Sequence, residues 1–259
     1  MDQEKVKVRL FVDQPLAEEQ AVSLEKEQAH YLFGVMRLTE GAHVALFNGR
    51  DGEWRAEVTQ VGKRGGELVC RAQSAPQGVP PDLWLVFAPV KKARTDFIVE
   101  KAVEMGVRRV LPVQTEYTNS ERWRVEKQQA HAVEAAEQCG GTFVPEVGEM
   151  AKLDRLLADW DPARRILFCD ESAVGTAVSL DGLEPGPWAV LIGPEGGFSE
   201  AERARLRGMD CATAISLGPR ILRAETAAVA ALTLWQVAVG DWRGESGHSP
   251  DLRDMEGGA

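Results

Sequence analysis

Two segments of the sequence combine glycines with charged side chains that could do chemistry. The first is Gly193-Pro194-Glu195-Gly196-Gly197, which directly follows the apolar run 188–192. Glycine lets a backbone approach a ligand closely and adopt unusual φ and ψ angles. Because the carboxylate of Glu195 would repel a phosphate, this loop would suit a ligand that offers hydroxyl or amino donors. The alternative is a tight strand-to-helix turn that binds nothing.

The second segment is Leu217-Gly218-Pro219-Arg220-Ile221-Leu222-Arg223-Ala224-Glu225-Thr226-Ala227. An apolar strand is predicted to end at Gly218-Pro219, and a helix follows whose start contains two arginines, a glutamate and a threonine. These grouped charges could serve a ligand. They could equally form a solvated helix start, since the helix dipole favours a carboxylate at Glu225.

Neither segment has the spacing of a common nucleotide-binding motif. The G-x-G-x-x-G dinucleotide pattern is absent, and so is the Gly-Lys-Ser/Thr of a P-loop. These absences argue against a nucleotide-dependent oxidoreductase.

Alternating strands and helices position both segments. The predicted strands are 83–88, 107–113, 143–145, 165–169, 188–192 and 214–217. The predicted helices are 95–106 with Thr95 as its cap, 125–138, 153–157, one that Ser199 caps together with Glu202, and 224–239. This alternation predicts a parallel α/β sheet with helices on both faces. Ligands of such sheets bind beyond the carboxyl ends of the strands, where both segments lie.

The N-terminal part has a different pattern. Strands are predicted at 6–12, 44–47, 54–61 and 68–72, with a short helix at 25–36. Asn48-Gly49 and Asp51-Gly52 are typical of hairpin turns, because these residues tolerate positive φ. We therefore expect a compact β-barrel over 1–73, a linker at 74–81, a second domain over 82–243 and a flexible tail at 244–259.

Composition excludes several classes of protein. The 259 residues include four cysteines with no C-x-x-C pair, which argues against a zinc or thioredoxin-type motif, and we predict no metal. The charged N-terminus is no signal peptide and the longest apolar stretch, 227–239, is too short for a bilayer, so we expect a cytoplasmic protein without membrane contact. A net charge of −10 argues against nucleic-acid binding. However, residues 1–72 carry 10 Lys and Arg against 12 Asp and Glu, which permits a local basic face.

Taken together, the two segments are far more specific than either alone. They resemble the RsmE family, the 16S ribosomal RNA (uracil-N3) methyltransferases of the SPOUT superfamily. Segments 30–32, 35–38, 91–96, 100–106, 137–139 and 144–146 agree, so that the resemblance covers residues 5–240. It implies an N-terminal PUA-like barrel and a C-terminal α/β domain with a trefoil knot, a known exception to the rule that chains do not knot.

The resemblance implies S-adenosylmethionine as cofactor, bent between the two loops. Leu217, Ile221 and Leu222 would supply the apolar walls that an adenine needs. The implied cofactor-binding residues are Leu191, Ile192, Gly193, Glu195, Gly196, Gly197, Leu217, Gly218, Ile221, Leu222 and Ala224. The superfamily also implies a homodimer.

The implied reaction methylates N3 of a uridine in small-subunit ribosomal RNA, near the decoding site. N3 must lose its proton, and the negative charge then spreads onto O2 and O4, where a cation lowers the barrier. Arg223 is the first candidate for that cation and Arg220 the second. Glu225 and Glu195 are the nearest carboxylates for a general base, and of these we assign Glu225 to the catalytic set.

The target base is expected to be flipped out of its RNA, so that binding would rest on the N-terminal module. The candidate phosphate contacts are Arg9, His30, Arg37, Arg50 and Arg55. For each of them the alternative is a solvated surface residue or, for His30, a structural histidine.

Two positions depart from the family pattern. Tyr117 and Gly141 stand where the family often has arginine, which removes any RNA or subunit contact that those charges make and leaves the cofactor loops intact. Two other functions stay open: a methyltransferase of the same superfamily that acts on tRNA, and a non-catalytic RNA-binding factor of ribosome assembly.

Overall fold

The structure, a computed structural model, describes residues 6, 8–119, 122–170, 172, 180 and 183–243. The predicted tail 244–259 lies outside the described residues. The chain divides into two compact units. The first unit contains Met1–Pro80, Val99–Val110 and Arg122–Glu149, and the second contains Pro81–Ile98, Leu111–Glu121 and Met150–Ala259.

The first unit contains a five-stranded sheet. Its strands are β1 (Arg9–Phe11), β2 (Ala21–Ser23), β3 (His43–Phe47), β4 (Glu53–Val61) and β5 (Gly66–Ala75). They lie in the order β1-β3-β4-β5-β2, with β1 parallel to β3 and the other neighbours antiparallel. Alternate side chains point into one apolar core that includes Leu10, Val44 and Leu68. The strands expected here are confirmed, apart from β2, which the sequence pattern did not predict.

The predicted hairpin turn between β3 and β4 is present. Gly49 and Gly52 have φ angles of 77° and 78°, which favour glycine. The Asn48 side chain accepts from the backbone N–H groups of Arg50 and Asp51 and donates to the Asp51 carboxylate.

The helices are α1 (Lys26–Ala29), α2 (Lys92–Glu104), α3 (Val125–Cys139), α4 (Leu153–Ala158), α5 (Glu200–Arg207) and α6 (Ala224–Val239). A π-helical turn, His30–Val35, follows α1, and a 3-10 turn, Asp241–Arg243, follows α6. The predicted capping box is confirmed: Ser199 Oγ accepts from the Glu202 N–H, and the Glu202 carboxylate accepts from the Ser199 N–H.

The predicted cap of α2 is wrong. The helix begins at Lys92, and Thr95 lies inside it. The buried Thr95 hydroxyl instead donates to the Val90 carbonyl and accepts from the Val90 N–H, at 2.9 and 3.0 Å. A hydroxyl near a helix start can satisfy the loop before it as well as the helix itself.

The second unit is built on parallel strands. They are β6 (Leu83–Phe87), β7 (Arg109–Gln114), β9 (Ala151–Lys152), β10 (Arg165–Cys169), β11 (Trp188–Ile192) and β12 (Ala212–Ile215), where β7 belongs to this unit from residue 111 onward. The short strand β8 (Glu146–Val147) belongs to the first unit, where it pairs with Arg109 and Val110 of β7. The order is β12-β10-β11-β6-β7, and β9 pairs with β7. All five residues of β11 are buried, as a wholly apolar strand at the sheet centre requires. The expected parallel α/β sheet is confirmed.

The linker expected at 74–81 starts later than predicted, because β5 continues through Ala75. The division into 1–73 and 82–243 remains a prediction.

Candidate functional site

The carboxyl ends of three neighbouring parallel strands, β10, β11 and β12, meet at one cavity. Both loops that the sequence singled out border it. The lining residues are Cys169, Asp170, Ile192, Gly193, Pro194, Glu195, Gly197, Phe198, Ile215, Leu217, Gly218, Arg220, Ile221, Leu222, Ala224 and Ala227. Nine of the eleven predicted cofactor-binding residues are in this set; Leu191 and Gly196 are not.

The loop after β11 is shaped by its glycines. The Gly197 N–H donates to the Pro194 carbonyl at 2.9 Å, and Gly197 has a φ of 69°. At Gly193 a Cβ atom would lie 3.2 Å from the Phe198 ring, so a side chain there would push against that ring. The capping box of α5 then ends the loop, which gives this segment one defined conformation.

Leu191 and Gly196 do not line the cavity, and their place in the cofactor set remains a prediction. Leu191 lies in the hydrophobic core with Val86 and Phe168, because neighbouring residues of a strand point to opposite faces and Ile192 takes the face toward the cavity. Gly196 turns away from the cavity toward Tyr117, where a Cβ would lie 3.1 Å from the Tyr117 Cβ.

The loop after β12 presents apolar and basic side chains. Gly218 has a φ of 102° and its N–H donates to Ser216 Oγ. Ile221 is 78% exposed although it borders the cavity. Arg220 is on the cavity wall, whereas Arg223 is the exposed N-cap residue of α6, beside the wall residues Leu222 and Ala224.

An arginine that sequence reasoning assigned no role joins the two loops. Arg94 of α2 forms ion pairs with Glu195 (Nη1 to Oε1, 3.2 Å) and with Glu225 (Nε to Oε1, 3.4 Å). The second carboxylate oxygen of Glu225, Oε2, is buried and has no hydrogen-bond partner among the described residues. Next to the wall residue Ala224 there is therefore a hydrogen-bond acceptor that lacks a donor in the unliganded protein.

The carboxyl end of β10 adds two cavity residues that the prediction missed. Burial alone would raise the pKa of Asp170, but hydrogen bonds from Ser172 and Arg207 outweigh it and hold that pKa below its usual value. Burial raises the pKa of the Cys169 thiol to about 12, so this thiol is neutral near pH 7. The position of both residues at the end of the predicted strand 165–169 is the signal that could have found them.

Among the described residues, no group of three or more His, Cys, Asp or Glu side chains is arranged to hold a metal ion. Within the same part of the chain, no helix has the length and apolar character needed to cross a membrane.

Arg9 is not a surface phosphate contact, which corrects the prediction. Its side chain is 15% exposed, pairs with Glu53 at 2.6 Å and donates to the carbonyls of Ala136, Glu137 and Gly141. These partners occupy the guanidinium at the C-terminal end of α3.

The other four predicted RNA contacts differ in exposure. His30, Arg37 and Arg50 are exposed, and Arg50 also donates to the Asp13 carbonyl at 2.7 Å. Arg55 is half-buried on β4, with one guanidinium nitrogen 3.3 Å from the His43 ring. Of the predicted RNA contacts, His30, Arg37 and Arg50 are therefore exposed enough for a polyanion to reach them.

The parallel sheet and its loop-bordered cavity define the class of protein. The chain belongs to the RNA methyltransferase family: residues 78–236 match the family's RNA methyltransferase domain, and residues 24–69 match the RNA methyltransferase PUA domain. The chain is similar to the Ribosomal RNA small subunit methyltransferase E of Rickettsia conorii, with 26% identity over 226 residues that cover 86% of this chain and 93% of the relative.

Two solved structures share this fold over nearly the whole chain. One is a Ribosomal RNA small subunit methyltransferase E from Neisseria gonorrhoeae bound to S-adenosyl methionine, with a TM-score of 0.83, 26% identity, and coverage of 91% of this chain and 99% of that one. The other is described as a methyltransferase from Legionella pneumophila in complex with the same cofactor, with a TM-score of 0.82, 27% identity, and coverage of 90% and 98%.

Proposed function

We propose that this protein transfers the methyl group of S-adenosylmethionine to N3 of a uridine in 16S ribosomal RNA. The observation that carries the proposal is the cavity between the loops after β11 and β12, in a chain of the RNA methyltransferase family. The relatives named small subunit methyltransferase E support ribosomal RNA as the substrate. We further propose that this uridine lies near the decoding site and is methylated in the assembled small subunit. The protein is proposed to be a cytoplasmic homodimer with a trefoil knot in its C-terminal domain.

The residues of the cavity fit the cofactor. Ile215, Leu217 and Leu222 offer apolar surface for an adenine ring, and glycines 193 and 197 leave room for close backbone approach. Glu225 does not itself line the cavity, but it follows the wall residue Ala224, and its buried, unpartnered Oε2 suits an amino or imino hydrogen. When bound, S-adenosylmethionine supplies a methyl group on positively charged sulfur, which N3 can displace.

The charged side chains near the cavity have separate roles in the proposed methyl transfer. The N3–H bond breaks, and Glu225 is the proposed acceptor of the proton, with Glu195 as the other candidate. Arg223, or Arg220 on the cavity wall, would stabilise the negative charge that develops on O2 and O4 of the uracil. The N3 lone pair would then form the bond to the methyl carbon, while the bond from that carbon to the cofactor sulfur breaks and leaves its electron pair on sulfur.

The test is transfer of labelled methyl from S-adenosylmethionine to small ribosomal subunits of a strain that lacks this protein, with naked 16S rRNA and tRNA as parallel substrates. We expect N3-methyluridine in the subunit, identified by nucleoside mass. Label on tRNA alone would establish the tRNA alternative. No cofactor binding would favour the assembly-factor alternative, whereas cofactor binding without transfer to any of these RNAs would point to a missing partner or another substrate.

The exposed basic residues of the first unit give a separate prediction. Arg37→Asn with Arg50→Ala should weaken RNA binding and reduce the slope of log Kd against log salt by about 2, since each lost phosphate contact removes about one released counterion. Asparagine is chosen because Arg37 has a φ of 57° and asparagine tolerates that conformation. Arg71→Ala removes a charge of the same unit that is already paired with Glu19 and Glu57, and should leave the slope unchanged. An unaltered slope in the double variant would contradict this role.

A further inference from the structure

One cation of the second unit contacts both segments that form the cavity. Arg94 lies in the first turn of α2, which precedes the first cavity loop by about a hundred residues. Its guanidinium reaches Glu195 on the loop after β11 and Glu225 on the first turn of α6, at 3.2 and 3.4 Å. The three side chains are 31%, 41% and 18% exposed, so the pair with Glu225 is the better shielded from solvent.

This pairing distinguishes the two oxygens of Glu225, which follows the cavity-wall residue Ala224. Oε1 faces Arg94, whereas Oε2 is buried without a partner among the described residues. A buried carboxylate oxygen without a hydrogen-bond donor raises the free energy of the unliganded protein. A bound group that donates a hydrogen to this oxygen removes that cost and so binds more tightly. An N–H donor could come from the amino group of the cofactor or from N3 of the uracil.

The geometry requires an arginine. Nε contacts one carboxylate and Nη1 contacts the other, and these two nitrogens have a fixed relative position in the planar guanidinium. A lysine has a single nitrogen and could keep one contact well but not both.

We propose that Arg94 is a positioning residue of the methyl transfer: it joins the two cavity loops through Glu195 and Glu225 and holds Glu225 Oε2 ready to accept an N–H hydrogen of a ligand. The inference rests on the proposed function. Arg94 would act through Glu195 and Glu225 and would not contact the reacting atoms itself. Arg94 offsets one of the two negative charges of Glu195 and Glu225. Arg220 and Arg223 add two positive charges, so the five side chains together carry a net positive charge, which favours RNA.

The experiment compares Arg94→Met, Arg94→Lys, Glu225→Gln and the double variant Arg94→Met/Glu225→Gln in the full-length protein. S-adenosylmethionine affinity is measured by calorimetry, and kcat and KM are measured with small subunits. Arg205→Met is the matched control, because this arginine makes one exposed ion pair, to Asp154 at 2.9 Å, in the same unit.

We expect Arg94→Met to lower either cofactor affinity or kcat by 10-fold to 100-fold, Arg94→Lys to recover part of that loss, and Arg205→Met to change neither. The double variant should lose less than the product of the two single losses, because both substitutions remove the Arg94–Glu225 pair. A loss of cofactor affinity identifies the cofactor amino group as the donor, whereas a loss of kcat with unchanged affinity identifies uracil N3.

Unchanged affinity and kcat in Arg94→Met would overturn the inference, and so would losses that simply add in the double variant. If the lysine variant folds and the methionine variant does not, the same comparison is made with Arg94→Lys and Glu195→Gln. Failure of the proposed function looks different: the unmodified protein then transfers no methyl group, while the calorimetric comparison still tests Arg94.

Discussion

Replacing Arg223 with alanine should lower the kcat of methyl transfer by about 10²- to 10³-fold, the usual loss when one group that stabilises developing negative charge is removed. Arg223 is exposed at the N-cap of α6, beside the cavity wall, where an incoming base could reach its guanidinium. Because Arg223 itself does not line the cavity, cofactor affinity should stay within about 2-fold of the original. Single-turnover transfer and calorimetry measure the two quantities.

Arg220→Ala separates the two candidate cations. Arg220 lines the cavity, so its loss should reduce cofactor affinity as well as turnover if its main contact is with the cofactor. A full-rate Arg223→Ala together with an inactive Arg220→Ala that still binds cofactor would reverse the two assignments. Full activity in both single variants would remove both arginines from the mechanism.

Arg9→Met should destabilise the first unit by about 3–5 kcal/mol, the typical cost of breaking a buried ion pair by removing one partner. The substitution leaves Glu53, 16% exposed, without its cation, and it leaves three carbonyls at the end of α3 without their donor. The guanidinium also lies 4.5 Å from the centre of the Phe47 ring, a further contact that is lost. Urea unfolding followed by circular dichroism measures the change.

Arg64→Ala is the control for Arg9, because Arg64 is an exposed arginine of the same unit and its loss should change stability by at most about 0.5 kcal/mol. Glu53→Gln combined with Arg9→Met should recover part of the loss, since no unpaired charge then remains buried. If Arg9→Met is as stable as the control but binds RNA more weakly, Arg9 is a phosphate contact after all.

The two cavity loops could be found from sequence because their chemistry is local. Each follows an apolar strand directly, and the rule that ligands bind at carboxyl ends of parallel strands then places them together. Ser199 and Glu202 were equally accessible, since a capping box depends on residues three apart.

Features that depend on partners far along the chain escaped the prediction. Arg9 and Arg94 are ordinary charged residues in sequence, and only the fold shows that one binds the end of α3 and the other binds two loops about 100 and 130 residues later. Thr95 has the sequence pattern of a helix cap, yet its hydroxyl binds the preceding loop because that loop is buried too.

The contact of Arg9 with the end of α3 has a consequence for the order in which the chain can fold during synthesis. β1 is made well before α3, and the carbonyls that Arg9 binds belong to residues 136, 137 and 141. Phe11 likewise donates its N–H to Glu137. The first unit therefore cannot complete its fold when its N-terminal strands leave the ribosome. It requires the segment up to residue 149, and by then only β6 and β7 of the second unit's strands have been made. A chain that ends at the predicted linker would contain β1 but lack α3, whose C-terminal end provides the carbonyls that Arg9 binds.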